Sequence, residues 1–220
     1  MKNKDDAEIQ PIKLPAPLFA GCNTVFEALK KRSTSRAING KKISRQKISD
    51  ILWAAAGINR HTGPFGVPGL TAGSASNSQE ISIYAAMAKG IYLYEPHGHK
   101  LIPVLSGDYR VLAIGPGQGT VGANAPVRLI YVVDIDKFKN AGFQEPGLYN
   151  AEIQKSYYFV DTGLAAQNVY LAAAALGLSA WFHNCNKPEI TKVLKLKPNQ
   201  LALFGQTIGY SEDLAAAVKF

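Results

Sequence analysis

The stretch VDTGLAAQNVYLAAAALGLSAWF, residues 160–182, reads as one long helix, a glycine stop and a strand. Asp161 is a candidate N-cap, Thr162 and Gly163 fall in the first turn, and Gly177 is a candidate C′ residue after a run of strong helix formers. Leu164, Leu171, Ala172, Ala175 and Leu176 lie near one face, while Val169 and the remaining alanines leave the opposite face without a charge. A helix that is apolar all round is a buried helix. It is too short, and too interrupted by Gln167 and Asn168, to span a bilayer. It is therefore expected to be the central helix of a core or of a subunit interface.

Outward from this helix the chain alternates helix and strand signals in an α+β pattern, with no internal repeat. Thr24 and Glu27 form a capping box ahead of a short helix over residues 24–31. Ser44 caps a second helix through Ile48, Ile51, Leu52 and Ala55, which Gly57 stops. Strands are expected over residues 81–87, 90–94, 100–105, 127–133, 178–182 and 201–210, and Asn186 with Pro188 opens a further helix. Residues 62–73, TGPFGVPGLTAG, form a long loop that GSASNSQ continues. Residues 1–21 contain Pro11, Pro15 and Pro17 and read as an extended arm. The remainder, residues 22–220, reads as a single domain.

An excess of 24 Lys and Arg over 16 Asp and Glu gives a formal net charge of +8, which attracts anions without choosing among them. The basic residues come in small groups with no RNA-binding, helix-turn-helix or zinc signature, so neither nucleic acid nor a metal is expected. Two cysteines, Cys22 and Cys185, are read as free thiols. No apolar run suits a signal peptide or an anchor, and the chain as it stands is expected in the cytoplasm and away from membranes. A leader removed upstream would leave no trace here.

Two segments carry candidate chemistry. Arg32 and Arg36 bracket Ser33, Thr34 and Ser35, and guanidinium forks with hydroxyls between them suit a phosphate. A solvated basic helix end would read the same way. In residues 74–79, SASNSQ, the amides of Asn77 and Gln79 both donate and accept and suit a flat heterocycle, as they also suit an ordinary polar turn. Gly117-x-Gly119-x-x-Gly122 matches the dinucleotide fingerprint in letters only, because Pro126 and a strand follow where a helix is required.

These segments resemble the FMN-dependent nitroreductase family. Residues 31–38, KRSTSRAI, look like its opening basic motif, and residues 74–79 look like its serine-rich second motif. Residues 160–182 are similar to its central helix and following strand, and residues 204–210 to its terminal strand. LWAAAGINR, with Gln79-Glu80-Ile81 in place of a proline and tryptophan, is closer to the branch that includes azoline-oxidising dehydrogenases.

The resemblance implies an α/β sandwich with a mainly antiparallel central sheet flanked by helices, built as an intertwined homodimer with FMN at the subunit interface. It implies that Arg32, Ser33, Thr34 and Arg36 hold the phosphate and pyrimidine edge, that Ser76, Asn77 and Gln79 meet the ring, and that Phe182, His183 and Asn184 present backbone to its other side. Lys219 stands for the basic pair expected beyond the last strand. The implied activity is two-electron transfer from NADH or NADPH to a small-molecule acceptor, a nitroaromatic, quinone or similar compound, by a ping-pong route. The alternatives are dehydrogenation of a ring or peptide substrate, and a non-catalytic flavin- or phosphate-binding protein.

Overall fold

A computed structural model describes residues 9–18, 24–63, 66–118, 122 and 124–212. Its elements are β1 (Ile12–Lys13), α1 (Val25–Lys31), α2 (Arg45–Ala56), β2 (Ile58–Arg60), β3 (Gly69–Leu70), β4 (Ile81–Met87), β5 (Gly90–Glu95), β6 (Lys100–Ser106), β7 (Val127–Asp134), α3 (Ala151–Ala175), β8 (Ser179–His183), α4 (Lys187–Val193) and β9 (Gln200–Gly209). Seven strands form one sheet in the order β1-β6-β5-β4-β7-β9-β8, and every pairing is antiparallel. β7, whose apolar run predicts burial on both faces, is an interior strand between β4 and β9, and only Asp134 at its end escapes burial.

The central helix is longer than the sequence suggests. α3 has 25 residues and starts at Asn150, whose Oδ1 accepts from Glu152 N and Ile153 N at 3.0 and 3.2 Å. Asp161 is consequently not its N-cap but a mid-helix residue, 7% exposed. The stop is as expected: Gly177 has φ +66°, and Leu178 N donates to Ala173 O at 2.8 Å, the 6→1 bond of a Schellman motif.

α3 lies with α2 on one face of the sheet. Leu52 and Ala55 of α2 and Ala165, Ala166, Val169 and Ala173 of α3 pack there against Ile83, Ala85, Leu129 and Tyr131. Each large apolar side chain so covered stabilises the fold by about 1.5–3 kcal/mol. The opposite face holds Ala86, Ile130, Val132 and Ala202 under Ala113, Cys185 and Ile190. Among the described residues no helix is long and apolar enough to cross a membrane.

The α1 capping box forms as read, with Thr24 N on Glu27 Oε2 and Glu27 N on Thr24 Oγ1. Gly57 ends α2 for a steric reason, since a Cβ there would sit 2.2 Å from the Trp53 ring. The described part of the arm, residues 9–18, lies on this chain's own sheet. β1 pairs with β6, and Ser49 Oγ, fully buried, donates to Pro15 O while sitting 2.6 Å from His99 Nε2; the other nitrogen of His99 is 2.9 Å from Tyr94 OH. This serine–histidine contact pins the arm, and the buried serine has no access to a substrate.

Candidate functional site

α1 ends at Arg32, whose N–H still closes the helix on Ala28 O at 2.8 Å while its φ and ψ are already extended. The chain then runs beside β8: Thr34 forms a parallel bridge with Ala180, and Ser35 N donates to Ala180 O at 3.1 Å. That register places the Arg32 guanidinium 5.5 Å from the centre of the Tyr170 ring and that of Arg36 5.4 Å from Trp181. Among the described residues no carboxylate pairs with either cation. Thr34 Oγ1 lies 3.1 Å from Tyr170 OH, which also accepts from Phe182 N at 2.7 Å. Ser33 is exposed.

The second segment is a tight, strained turn. Residues Ala75–Asn77 form a 3₁₀ turn, and Ser76, Asn77 and Gln79 have φ of +50°, +55° and +52°. Left-handed backbone at residues other than glycine costs up to about 1–3 kcal/mol each and persists only where surrounding bonds impose it. Those bonds are present. Asn77 Nδ2 and Gln79 Nε2 both donate to Pro68 O, at 3.2 and 2.6 Å, and Gln79 Nε2 also reaches Asn77 Oδ1 at 3.1 Å. Gln79 N donates to Ser74 Oγ, and the Lys137 ammonium to Gln79 O at 2.8 Å. The two amides therefore brace the turn against the preceding loop as well as lining it.

Beneath the turn lie two carboxyls that sequence reasoning missed. Ala75 N donates to Asp161 Oδ2 at 2.9 Å, and Ser78 Oγ to Glu80 Oε2 at 2.6 Å. Burial, with the neighbouring Asp161 charge opposing ionisation, pushes Glu80 up to about 7, and burial raises Asp161 as well. A cavity of about 20 Å³ lined by Ser74, Gln79 and Asp161 adjoins them, with room for one water.

β8 places Phe182, His183 and the following Asn184 differently from one another. Phe182 is half-buried on the α3 side, its ring 4.8 Å from that of Phe204, and its N–H is already taken by Tyr170. His183 points to the other face and is buried: Nε2 lies 2.8 Å from Thr207 Oγ1 and Nδ1 2.7 Å from Asn184 O. Burial lowers its pKa to about 4, so it stays neutral. Asn184 is exposed, but its carbonyl accepts from Gly115 N. The alternation of the strand, one residue to each face, separates residues that the linear motif groups together. Lys219, like Cys22 and Gly119, lies outside the described residues.

One chain does not bring the two segments together. Thr34 and Ser35 adjoin Ala180, which pairs with Ile208 at the Val127 end of β7, whereas the 74–79 turn leads into Ile81, which pairs with Val133. Six ladder positions at roughly 3.3 Å per residue set them about 20 Å apart along the strands. They also lie on different sides of α3. Their anchors on it, Asp161 and Tyr170, are about two and a half turns apart.

Known proteins share this fold. The nitroreductase family model matches residues 29–210, and the chain belongs to that family. A Methanocaldococcus jannaschii protein named as a nitroreductase is 28% identical over 193 residues, covering 80% of this chain and 87% of its own length. Of the solved structures, a protein assigned as a nitroreductase from Ralstonia eutropha superposes with a TM-score of 0.81 at 26% identity, over 93% of this chain and 91% of that one. The NADPH:FMN oxidoreductase of Vibrio harveyi, at 20% identity, shares the fold with a TM-score of 0.59 over 87% of this chain and 70% of its own. The chain is thus an α+β protein of the nitroreductase fold, and its family is one of oxidoreductases.

Proposed function

We propose that this chain is an FMN-dependent oxidoreductase that works as a homodimer, carrying two electrons from NADH or NADPH to a nitroaromatic, quinone or similar acceptor. The observation that carries the reading is the pair of guanidiniums, Arg32 and Arg36, held over aromatic rings beside the hydroxyls of Ser33 and Thr34 and, among the described residues, without a carboxylate partner. Cations left unmatched in this way, with their forks oriented by ring contacts, fit a phosphate. The donor set therefore suits FMN, which when bound supplies the two-electron redox chemistry. The chain's own part is to hold the phosphate, to set the braced 74–79 turn against the ring, and to keep water away.

A second copy supplies the missing proximity. Residues 32–36 of one subunit and the turn of the other can meet at one flavin only across an interface. A surface for it exists: Val160 and Leu164 on α3 and Val25, Phe26 and Leu29 on α1 are 60%, 46%, 65%, 83% and 47% exposed in the single chain. α1 packs on α3, and exposed apolar side chains on both helices are what an interface would cover.

The test is direct. The purified protein should be yellow, scatter light as a dimer, bind one FMN per subunit and oxidise NADH or NADPH in the presence of an acceptor panel that includes an azoline-containing peptide. Stoichiometric FMN without turnover would leave a binding protein. A colourless protein that does not take up added FMN would overturn the reading.

A further inference from the structure

Glu80 is fully buried, and its Oε1 has no hydrogen-bond donor. A buried oxygen in that state carries its full desolvation penalty, and a larger one if charged. The carboxyl that interacts with it is that of Asp161, which holds the other end of the same turn through Ala75 N, and two carboxylates both only accept. A single proton between them resolves both problems, giving Oε1 a hydrogen to donate and Asp161 a charge-assisted bond to receive. We propose that Glu80 and Asp161 are positioning residues that share one proton, and that this proton locks the strained 74–79 turn in the shape that presents Asn77 and Gln79.

The geometry reaches the turn at both ends. Asp161 holds Ala75 N, ahead of the left-handed Ser76 and Asn77, and Glu80 holds Ser78 Oγ, just before the left-handed Gln79. With both carboxyls ionised, repulsion between them in a buried space acts to separate the anchors of the turn. The other charged groups facing the pair are Lys137, a half-buried residue whose amine is bonded to Gln79 O, and Asp134, whose N–H donates to Glu80 O; Tyr157 faces Asp161 from one turn earlier on α3. Lys137 favours the ionised pair and Asp134 opposes it. Lys137 is committed to a backbone carbonyl, and burial lowers its own pKa, so it does not take the place of the shared proton.

The lock itself is independent of the function proposed above, and its consequence for flavin rests on that reading. The variants are Glu80→Gln and Asp161→Asn. Each carries an amide that donates where the proton did while its carbonyl keeps the existing bond, so one of them serves if the other fails to fold. Infrared difference spectra of wild type near pH 6 should show a buried protonated carboxyl band that is lost in Glu80→Gln. Hydrogen exchange of residues 74–79 should quicken in wild type as the pH rises through 8, beyond the intrinsic rise, and stay flat in both variants. The FMN dissociation constant should rise by up to about tenfold per pH unit over the same range in wild type and not in the variants. Absence of the band, or equal pH slopes in wild type and both variants, would overturn the proposal. A protein that shows the band and the pH-dependent exchange but binds no FMN at any pH would keep the lock and remove the flavin reading.

Discussion

The two motif segments are built on opposite principles. Residues 32–36 lie on the surface beside β8, their cations steadied by single ring contacts and, among the described residues, free of carboxylates. Residues 74–79 form a left-handed turn whose amides, hydroxyls and carboxyl anchors are bonded to one another. The first segment is an exposed electrostatic surface, which on the proposed function gains its partners when the phosphate binds. The second is a preformed shape whose strain the fold has already offset. Substitutions should therefore act on ligand affinity in the first and on folding stability in the second.

The largest effect is expected where the two must meet. Leu164→Arg puts a charge on the exposed apolar face of α3, and burying an unpaired charge in an interface is strongly disfavoured. The variant should fold, run as a monomer in light scattering and lose FMN, because neither segment alone makes the site. A dimeric variant with full FMN would place the interface elsewhere. Ala173, although it too lies on this helix, is 1% exposed within its own chain and would report core packing instead.

Within the first segment, Arg32→Ala with Arg36→Ala removes charged hydrogen bonds worth about 1.5–3 kcal/mol each. FMN affinity should fall by at least two orders of magnitude. The apo melting temperature should hardly move, since exposed cation–π contacts contribute only about 0.5–1 kcal/mol. Stoichiometric FMN after dialysis of the double variant would remove the phosphate assignment.

These contrasts bear on what the sequence made legible. The strands from β4 to β9, the caps Thr24 and Ser44 and the stop at Gly177 follow from local signals, and the structure reproduces them within a residue or two. The start of α3 was hidden because Asp161-Thr162-Gly163 imitates an N-terminus, and because the helix formers AEIQK after the true cap, Asn150, are followed by SYYFV, a run of β-branched and aromatic residues that interrupts the helical pattern. The site divides in the same way. The cations and amides were visible as residue types, but Tyr170 between Thr34 and Phe182, and Glu80 against Asp161, join residues far apart in the chain, which no spacing rule reveals. Strand alternation turns the His183 side chain to the face opposite Phe182, a separation that a linear motif does not display.

In the second segment, Asn77→Leu removes a donor to Pro68 O and an acceptor for Gln79. It also puts an ordinary side chain at φ +55°, a backbone that asparagine tolerates better than leucine. The apo protein should lose about 1–3 kcal/mol in urea denaturation, with FMN affinity falling as well. An unchanged midpoint together with weakened FMN would make Asn77 a ligand contact alone and erase the contrast with Arg32.

The smallest effect is a cancellation. His183, near the first segment, is held neutral with a folded pKa of about 4 against 6.5, so the unfolded chain gains its proton first and stability is lost as the pH falls from 6.5 towards 4. Glu80, under the second segment, has a folded pKa of about 7 against 4.5. Its contribution is fully present below 4.5 and is lost as the pH rises to 7. Between pH 4.5 and 6.5 the two slopes oppose each other, each at most about 1.4 kcal/mol per pH unit. Denaturation midpoints of wild type should therefore be nearly level across that window. Glu80→Gln removes one slope and leaves the other, so its stability should decline on acidification by about 1 kcal/mol per pH unit. Parallel wild-type and Glu80→Gln profiles would show that the carboxyl beneath the turn does not hold its proton in the folded state, and the contrast in charge between the two regions would be lost.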